Sequence, residues 1–394
     1  MLDIPPELLL IISAYMDHHD LRAFALTSKF LCHLLLPEYL RGRGLTLKDT
    51  STGGKCVELH GLSGCASLGL WSILPTFHPP EEMYFSVPYV AQEARSSIGF
   101  VTRFLLKSSN TSHLRDFHYS ILGFELLPIM PELIKLHELF CVLPLTRLHI
   151  SGYGTASYLP PSIPLWSGMT CSSRMLASLV ISSDHAFAPG LVRTTLSILK
   201  QSPIKSLAIF MVSLKPSQWS TLLGQLDMSL LEDIEIEGDI PQPAIIRFLM
   251  KHSRLKTVRI AGIVSSSRTQ PSRSQNQQFL PNLRSLRAPL AICCDIIRRA
   301  SDPSRLRDLY LESSQLRPHD PSFHDLLKGL RRFPNLDHLG LRLVRNSQSA
   351  QPQASPGNWD GHPASELKQV RTLTFSSQGL LSLGDIVCSF PSSP

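Results

Sequence analysis

Residues 279–288 read FLPNLRSLRA, and residues 333–341 read FPNLDHLGL. In both, Pro-Asn leads into a leucine, and further apolar residues follow three and five positions later. The same spacing recurs along the chain. It stands as Leu114/Phe117/Tyr119, Leu145/Leu148/Ile150, Leu176/Leu179/Ile181, Ile204/Leu207/Ile209 and Leu231/Ile234/Ile236. It continues as Leu255/Val258/Ile260, Leu283/Leu286/Ala288, Leu306/Leu309/Leu311, Leu336/Leu339/Leu341 and Val370/Leu373/Phe375. From Leu145 to Val370, eight steps cover 225 residues, about 28 per step. Alternating apolar residues predict short strands, and the amphipathic stretches between them, such as 191–199, 245–250 and 323–330, predict helices. A short strand and a helix repeated near 28 residues predict an α/β solenoid with parallel strands, in which neighbours cover each other's apolar faces. An ordinary parallel α/β domain is the competing reading.

If the recurring apolar residues face the core, the residues between them line an open inner face. These are Asp116, His118, Arg147, His149, Ser178, Val180, Ser206, Ala208, Phe210, Asp233, Glu235, Glu237, Thr257, Arg259, Ser285, Arg287, Asp308, Tyr310, Glu312, His338, Arg342, Thr372 and Thr374. Four arginines against six carboxylates leave this face slightly acidic, although the whole chain is +7. A nucleic-acid binder concentrates Lys and Arg on its reading surface, so no nucleic-acid partner is expected. Exposed Phe210 and Tyr310 among mixed charges suit a protein partner. Phe210, Asp233, Glu235, Glu237, Arg259, Arg287, Tyr310 and Arg342 are the expected substrate-binding residues.

The first forty residues differ from the rest. Pro5-Pro6 and Glu7 suit a helix start, and Leu8, Leu9, Ile11, Ile12, Tyr15 and Met16 form a broad apolar stripe. Asp20 is expected to cap a second helix with Leu21, Phe24 and Ala25, and a third with Leu31, Leu34 and Leu35 is expected to stop at Pro37. Forty residues cannot bury so many apolar side chains alone. The unit is therefore a helical cap on the next domain or a docking module.

The residues Ile4-Pro5-Pro6-Glu7-Leu8-Leu9, Ile12, Tyr15-Met16, Asp20-Leu21, Thr27-Ser28-Lys29, Leu31 and Pro37 resemble an F-box, in the form common in fungal F-box proteins. Ile4, Met16 and Leu31 depart from the family's usual Leu, Leu and Trp. The resemblance implies docking to a Skp-type adaptor and, through it, to a cullin–RING ubiquitin ligase. It implies that Ile4, Pro5, Leu8, Ile12, Leu21, Ser28 and Leu31 are the adaptor-binding or core positions. The repeat unit resembles those of F-box proteins with leucine-rich repeats, again most like divergent fungal ones. It lacks the usual Asn or Cys eight residues after the first leucine, so no asparagine ladder is expected.

The domain division expected is an F-box at 1–40, a divergent, partly helical connecting region at 41–111, and a leucine-rich-repeat-like solenoid at 112–394. Within the connecting region, 45–47 reads as a strand, 51–87 mainly as loop, and 88–106 as a helix. The polar Ser/Gln/Pro-rich segments near 265–278 and 346–365 are expected as mobile loops. At the end, 379–390 reads as a helix with no polar capping repeat after it, so the last repeat is expected to fray or to meet a partner.

Catalytic motifs are missing. Gly53-Gly54-Lys55 ends like a phosphate loop, but Asp49 and Cys56 stand where it needs Gly and Ser or Thr. The eight cysteines form no C-x-x-C pair, and the 15 histidines show no ligand spacing. No catalytic residue, metal or cofactor is expected. No apolar run approaches the roughly 18 residues of a membrane span, so no membrane partner is expected and the cytoplasm or nucleus is the expected location. The sequence reading is thus a non-enzymatic substrate receptor of the ubiquitin-conjugation pathway. The alternative is an interaction scaffold that does not direct ubiquitination.

Overall fold

Each recurring triplet sets apolar side chains on one face of an extended segment, where they are buried only if another layer covers them. The computed structural model describes residues 4–50, 53–72, 79–108, 113–122, 127–153, 160, 162–164, 175–262, 279–300, 305–313, 321–344, 370–378 and 386–389. It is a mixed α/β structure, with N-terminal helices followed by mostly parallel strands that alternate with helices. It divides into two units, residues 1–202 and 203–394.

The first unit opens with α1 (Pro6–Ala14), α2 (His18–Ala25) and α3 (Lys29–Gly42). Asp17, not Asp20, caps α2: its carboxylate accepts the His19 and Asp20 N–H groups at 2.8 Å each. The extended backbone of Asp17 lets its side chain reach the free amides, whereas Asp20 is already helical. Ser28 caps α3, its Oγ accepting the Leu31 N–H at 3.1 Å. The expected stop at Pro37 does not occur. Pro37 forfeits one helical hydrogen bond, but α3 buries Leu35, Leu36, Tyr39 and Leu40, and that burial outweighs the loss.

Gly44 then turns the chain at φ 84° into β1 (Leu45–Asp49); a Cβ there would collide with the His60 carbonyl oxygen, so glycine is required. The loop expected over 51–87 instead contains β2 (Lys55–His60), α4 (Gly61–Ser72) and β3 (Glu82–Val87). Glycines and serines disguise α4, yet Cys65, Leu68 and Trp71 are buried at helical spacing. The expected helix after residue 88 is α5 (Ala91–Ser108). The unit continues with β4 (Asp116–Leu122), α6 (Met130–Phe140), β5 (Arg147–Tyr153), β6 (Ser178–Ser182) and α7 (Val192–Gln201). β1 pairs antiparallel with β2, and β2 through β6 run parallel in order. Helices α4 to α7 contact one another in sequence, and α3 packs on β1 and α4.

The second unit repeats the scheme. Its elements are β7 (Ser206–Ile209), α8 (Pro216–Gln225), β8 (Asp233–Glu237), α9 (Gln242–Lys251), β9 (Thr257–Ala261) and β10 (Ser285–Pro289). There follow α10 (Leu290–Arg299), β11 (Asp308–Ser313), α11 (Pro321–Leu330), β12 (His338–Val344) and β13 (Thr372–Gln378). β7 to β13 are parallel in chain order. Of the expected C-terminal helix over 379–390, the described residues instead form β14 (Ile386–Ser389), which pairs antiparallel with β13; the rest lies outside the described residues. Ile386 and Val387 are strand-favouring, and they close the edge that β13 would otherwise present. The expected loops at 265–278 and 346–365 lie outside the described residues.

All ten triplets lie in or just before a strand, and every described triplet side chain is buried. No asparagine ladder joins the repeats among the described residues; a backbone one does. The carbonyl of the residue immediately before one strand accepts two consecutive N–H groups, from the residue just before the next strand and from that strand's first residue. Arg115 O accepts from Thr146 and Arg147 at 2.7 and 2.9 Å, and Thr146 O from Ala177 and Ser178 at 2.9 and 3.0 Å. In the second unit Lys205, Glu232, Lys256, Arg284, Arg307 and Asp337 do the same.

Candidate functional site

α1 is apolar on two sides. Leu9 and Ser13 are buried, whereas Leu8, Ile11, Ile12 and Tyr15, at i, i+3, i+4 and i+7, are 49%, 56%, 47% and 88% exposed. Leu26 and Phe30 are also half exposed. Of the residues expected to meet an adaptor, Pro5, Leu8, Ile12 and Ser28 are exposed and Ile4 and Leu31 are half-buried. Leu21 is buried in the helical core, and Ser28 serves as the α3 cap. The sequence reading does not assign Ile11, Tyr15, Leu26 or Phe30 to adaptor binding. The α1 stripe contains the first two, but a stripe that wide does not say which side meets the fold.

On the open face of the second unit, strand register sets Glu235, Arg259, Arg287, Tyr310 and Gly340 in one row across β8 to β12. Asp233 and Glu237 flank Glu235 on β8, with Asp233 half-buried and the two glutamates exposed. The arginines are engaged within the unit: Arg259 pairs with Glu235 at 3.6 Å and Arg287 with Glu312 at 2.7 Å. Asp233 and Glu237 form no ion pair among the described residues. Tyr310 lies against Gly340, where a Cβ would overlap the tyrosine ring. Phe210 follows β7 and is half-buried. Arg342 sits on β12, but its side chain is outside the described set. Register thus brings Glu235, Arg259, Arg287 and Tyr310 together.

The open face of the first unit carries a row the sequence reading did not select for binding. Tyr84, His118, His149 and Val180 are aligned across β3 to β6. The Tyr84 ring stacks on His118 with centroids 4.4 Å apart, and the Nδ1 atoms of His118 and His149 are 3.1 Å apart. His149 Nε2 lies 3.4 Å from Ser182 Oγ. Beside this row, Arg147 forms a two-pronged ion pair with Asp116. Ser86, Ser120, Ser151 and Ser182 form the next row. Burial and the neighbouring His149 push the His118 pKa down to about 4, and burial lowers that of His149. Both rings are therefore neutral at pH 7.

Among the described residues, no three His, Cys, Asp or Glu side chains gather to hold a metal, and no helix is long and apolar enough to cross a membrane. The model of the F-box domain matches residues 1–39, the segment that forms α1, α2 and most of α3. No curated protein matches the chain.

Proposed function

We propose that this chain is a substrate-recognition subunit of a Skp–cullin–F-box ubiquitin ligase. Residues 1–40 dock the adaptor, and the repeats, of leucine-rich-repeat type, hold a protein substrate on their open face. The supporting observation is the F-box match over residues 1–39, joined to the row Leu8, Ile11, Ile12 and Tyr15 that α1 leaves in water. An apolar row of that kind marks a protein-docking surface. The chain supplies no chemistry of its own. It acts by proximity, raising the effective concentration of bound substrate near the ubiquitin-charged enzyme, in the cytoplasm or nucleus.

Asp233 and Glu237, beside the Glu235–Arg259 pair, favour a substrate with a basic segment. Charges at such a rim govern partner choice and on-rate, so capture is salt-sensitive. Replacing Asp233, Glu235 and Glu237 with Lys stops substrate capture and leaves adaptor binding intact.

The test is affinity capture with the adaptor and cullin. Leu8→Asp, at an exposed position, abolishes adaptor capture without changing the thermal melt. Retained capture by that variant rejects the docking assignment. Capture of adaptor without cullin, or without ubiquitin transfer, favours the scaffold reading.

A further inference from the structure

We propose that His118 and His149 form a binding site for a divalent transition-metal ion of the zinc, nickel or copper class, on the open face of the first unit. The site is independent of the ligase reading.

The argument starts from register. β4 and β5 are parallel neighbours that place His118 directly opposite His149, although the two are 31 residues apart in sequence. Their Nδ1 atoms stand 3.1 Å apart. Two imidazole nitrogens bound tetrahedrally to one zinc at about 2.05 Å stand about 3.3 Å apart. The spacing of the two nitrogens is therefore close to that of a chelate, and a small turn of the rings out of their mutual hydrogen bond aims both lone pairs at one ion.

The surroundings hold both rings in place. Tyr84 stacks on His118 at 4.4 Å with 17° between the rings, which fixes the imidazole plane. Ser182 Oγ, 3.4 Å from His149 Nε2, is placed to accept that N–H. Metal-binding histidines characteristically donate their second ring nitrogen in this way, fixing the tautomer that leaves the other lone pair for the metal.

Neutral imidazole is the ligand form. Without an ion, one Nδ1–H donates to the other Nδ1. With the ion, the donor ring moves its proton to Nε2, and the pair stays neutral. Imidazole nitrogen suits zinc, nickel and copper over magnesium or calcium. Asp116 is committed to Arg147, so the ion keeps open positions for water. Burial pushes the Cys56 and Cys65 thiols up to about 11, which weakens those two as rival ligands.

The test is calorimetric titration of the full chain with zinc chloride, alongside His118→Phe and His149→Phe variants. One ion binds the wild type, and each variant weakens binding at least tenfold. The second readout is imidazole nitrogen NMR of the wild type. Zinc shifts the Nδ1 signals of His118 and His149 together and leaves buried His252 in place. Unchanged affinity in both variants, or unmoved Nδ1 signals in the wild type, overturns the site.

Discussion

At Gly340 the first atom of any side chain would collide with Cδ1 of Tyr310. The glycine is thus the seat of the exposed aromatic on the second unit's open face. Gly340→Val is expected to cost about 1–3 kcal/mol through this overpacking. Urea unfolding measures it, and adding Tyr310→Ala to the Gly340→Val variant should recover most of the loss. If the two substitutions add without coupling, the ring does not depend on the glycine. Alternation along β11 marks Tyr310 as exposed, so the sequence reading finds it. It does not find Gly340, because a residue without a side chain leaves no mark in an apolar pattern. It does not pair His118 with His149 either, because register across 31 residues is a property of the sheet.

Elements were legible where one period dominated. The strand triplets carry burial at every described position, and α5 shows buried Ala94, Ile98, Val101 and Leu105 at helical spacing. Misreadings came where local residue preference opposed tertiary packing. α4 is rich in glycine and serine, and α3 contains a proline, yet both are held by the apolar surface they bury. That competition has a measurable consequence. Pro37→Ala restores an N–H to the exposed side of α3 and is expected to stabilise the chain by about 1 kcal/mol. A thermal melt checks it; a lower midpoint would mean that α3 needs the proline's shape to pack. The C-terminal segment erred in the other direction. The reading of 379–390 as a helix gives no sign that the edge of β13 recruits Ile386–Ser389 as a strand.

At the scale of the molecule, the depressed histidines among the described residues fall mainly in one unit. His118, His137, His149 and His185 lie in the first, with His118 near 4 and fully buried His137 near 3, all lowered chiefly by burial; His252 is their counterpart in the second. Each binds a proton more readily when unfolded, where its pKa is near 6.5. Their contribution to stability is complete above that value and is lost as pH falls from about 6.5 through the folded values. The first unit is therefore expected to lose amide protection between pH 7 and pH 5 more steeply than the second. Hydrogen exchange measured unit by unit checks this. His137→Gln, which removes the deepest of these groups, should flatten the first unit's pH slope.

The carbonyls that join strand to strand also determine how the chain responds to force. In each unit they link a repeat to its neighbours only, through backbone groups whose own side chains range from Glu232 and Asp337 to Arg115 and Lys205. Pulled along its strands' order, neither unit shows a single clasp to break among the described residues. Each unit yields like a row of stitches, one repeat at a time, and each repeat of about 28 residues releases about 90–100 Å of chain. A machine that grips this protein would meet many small resistances of similar height in place of one high barrier.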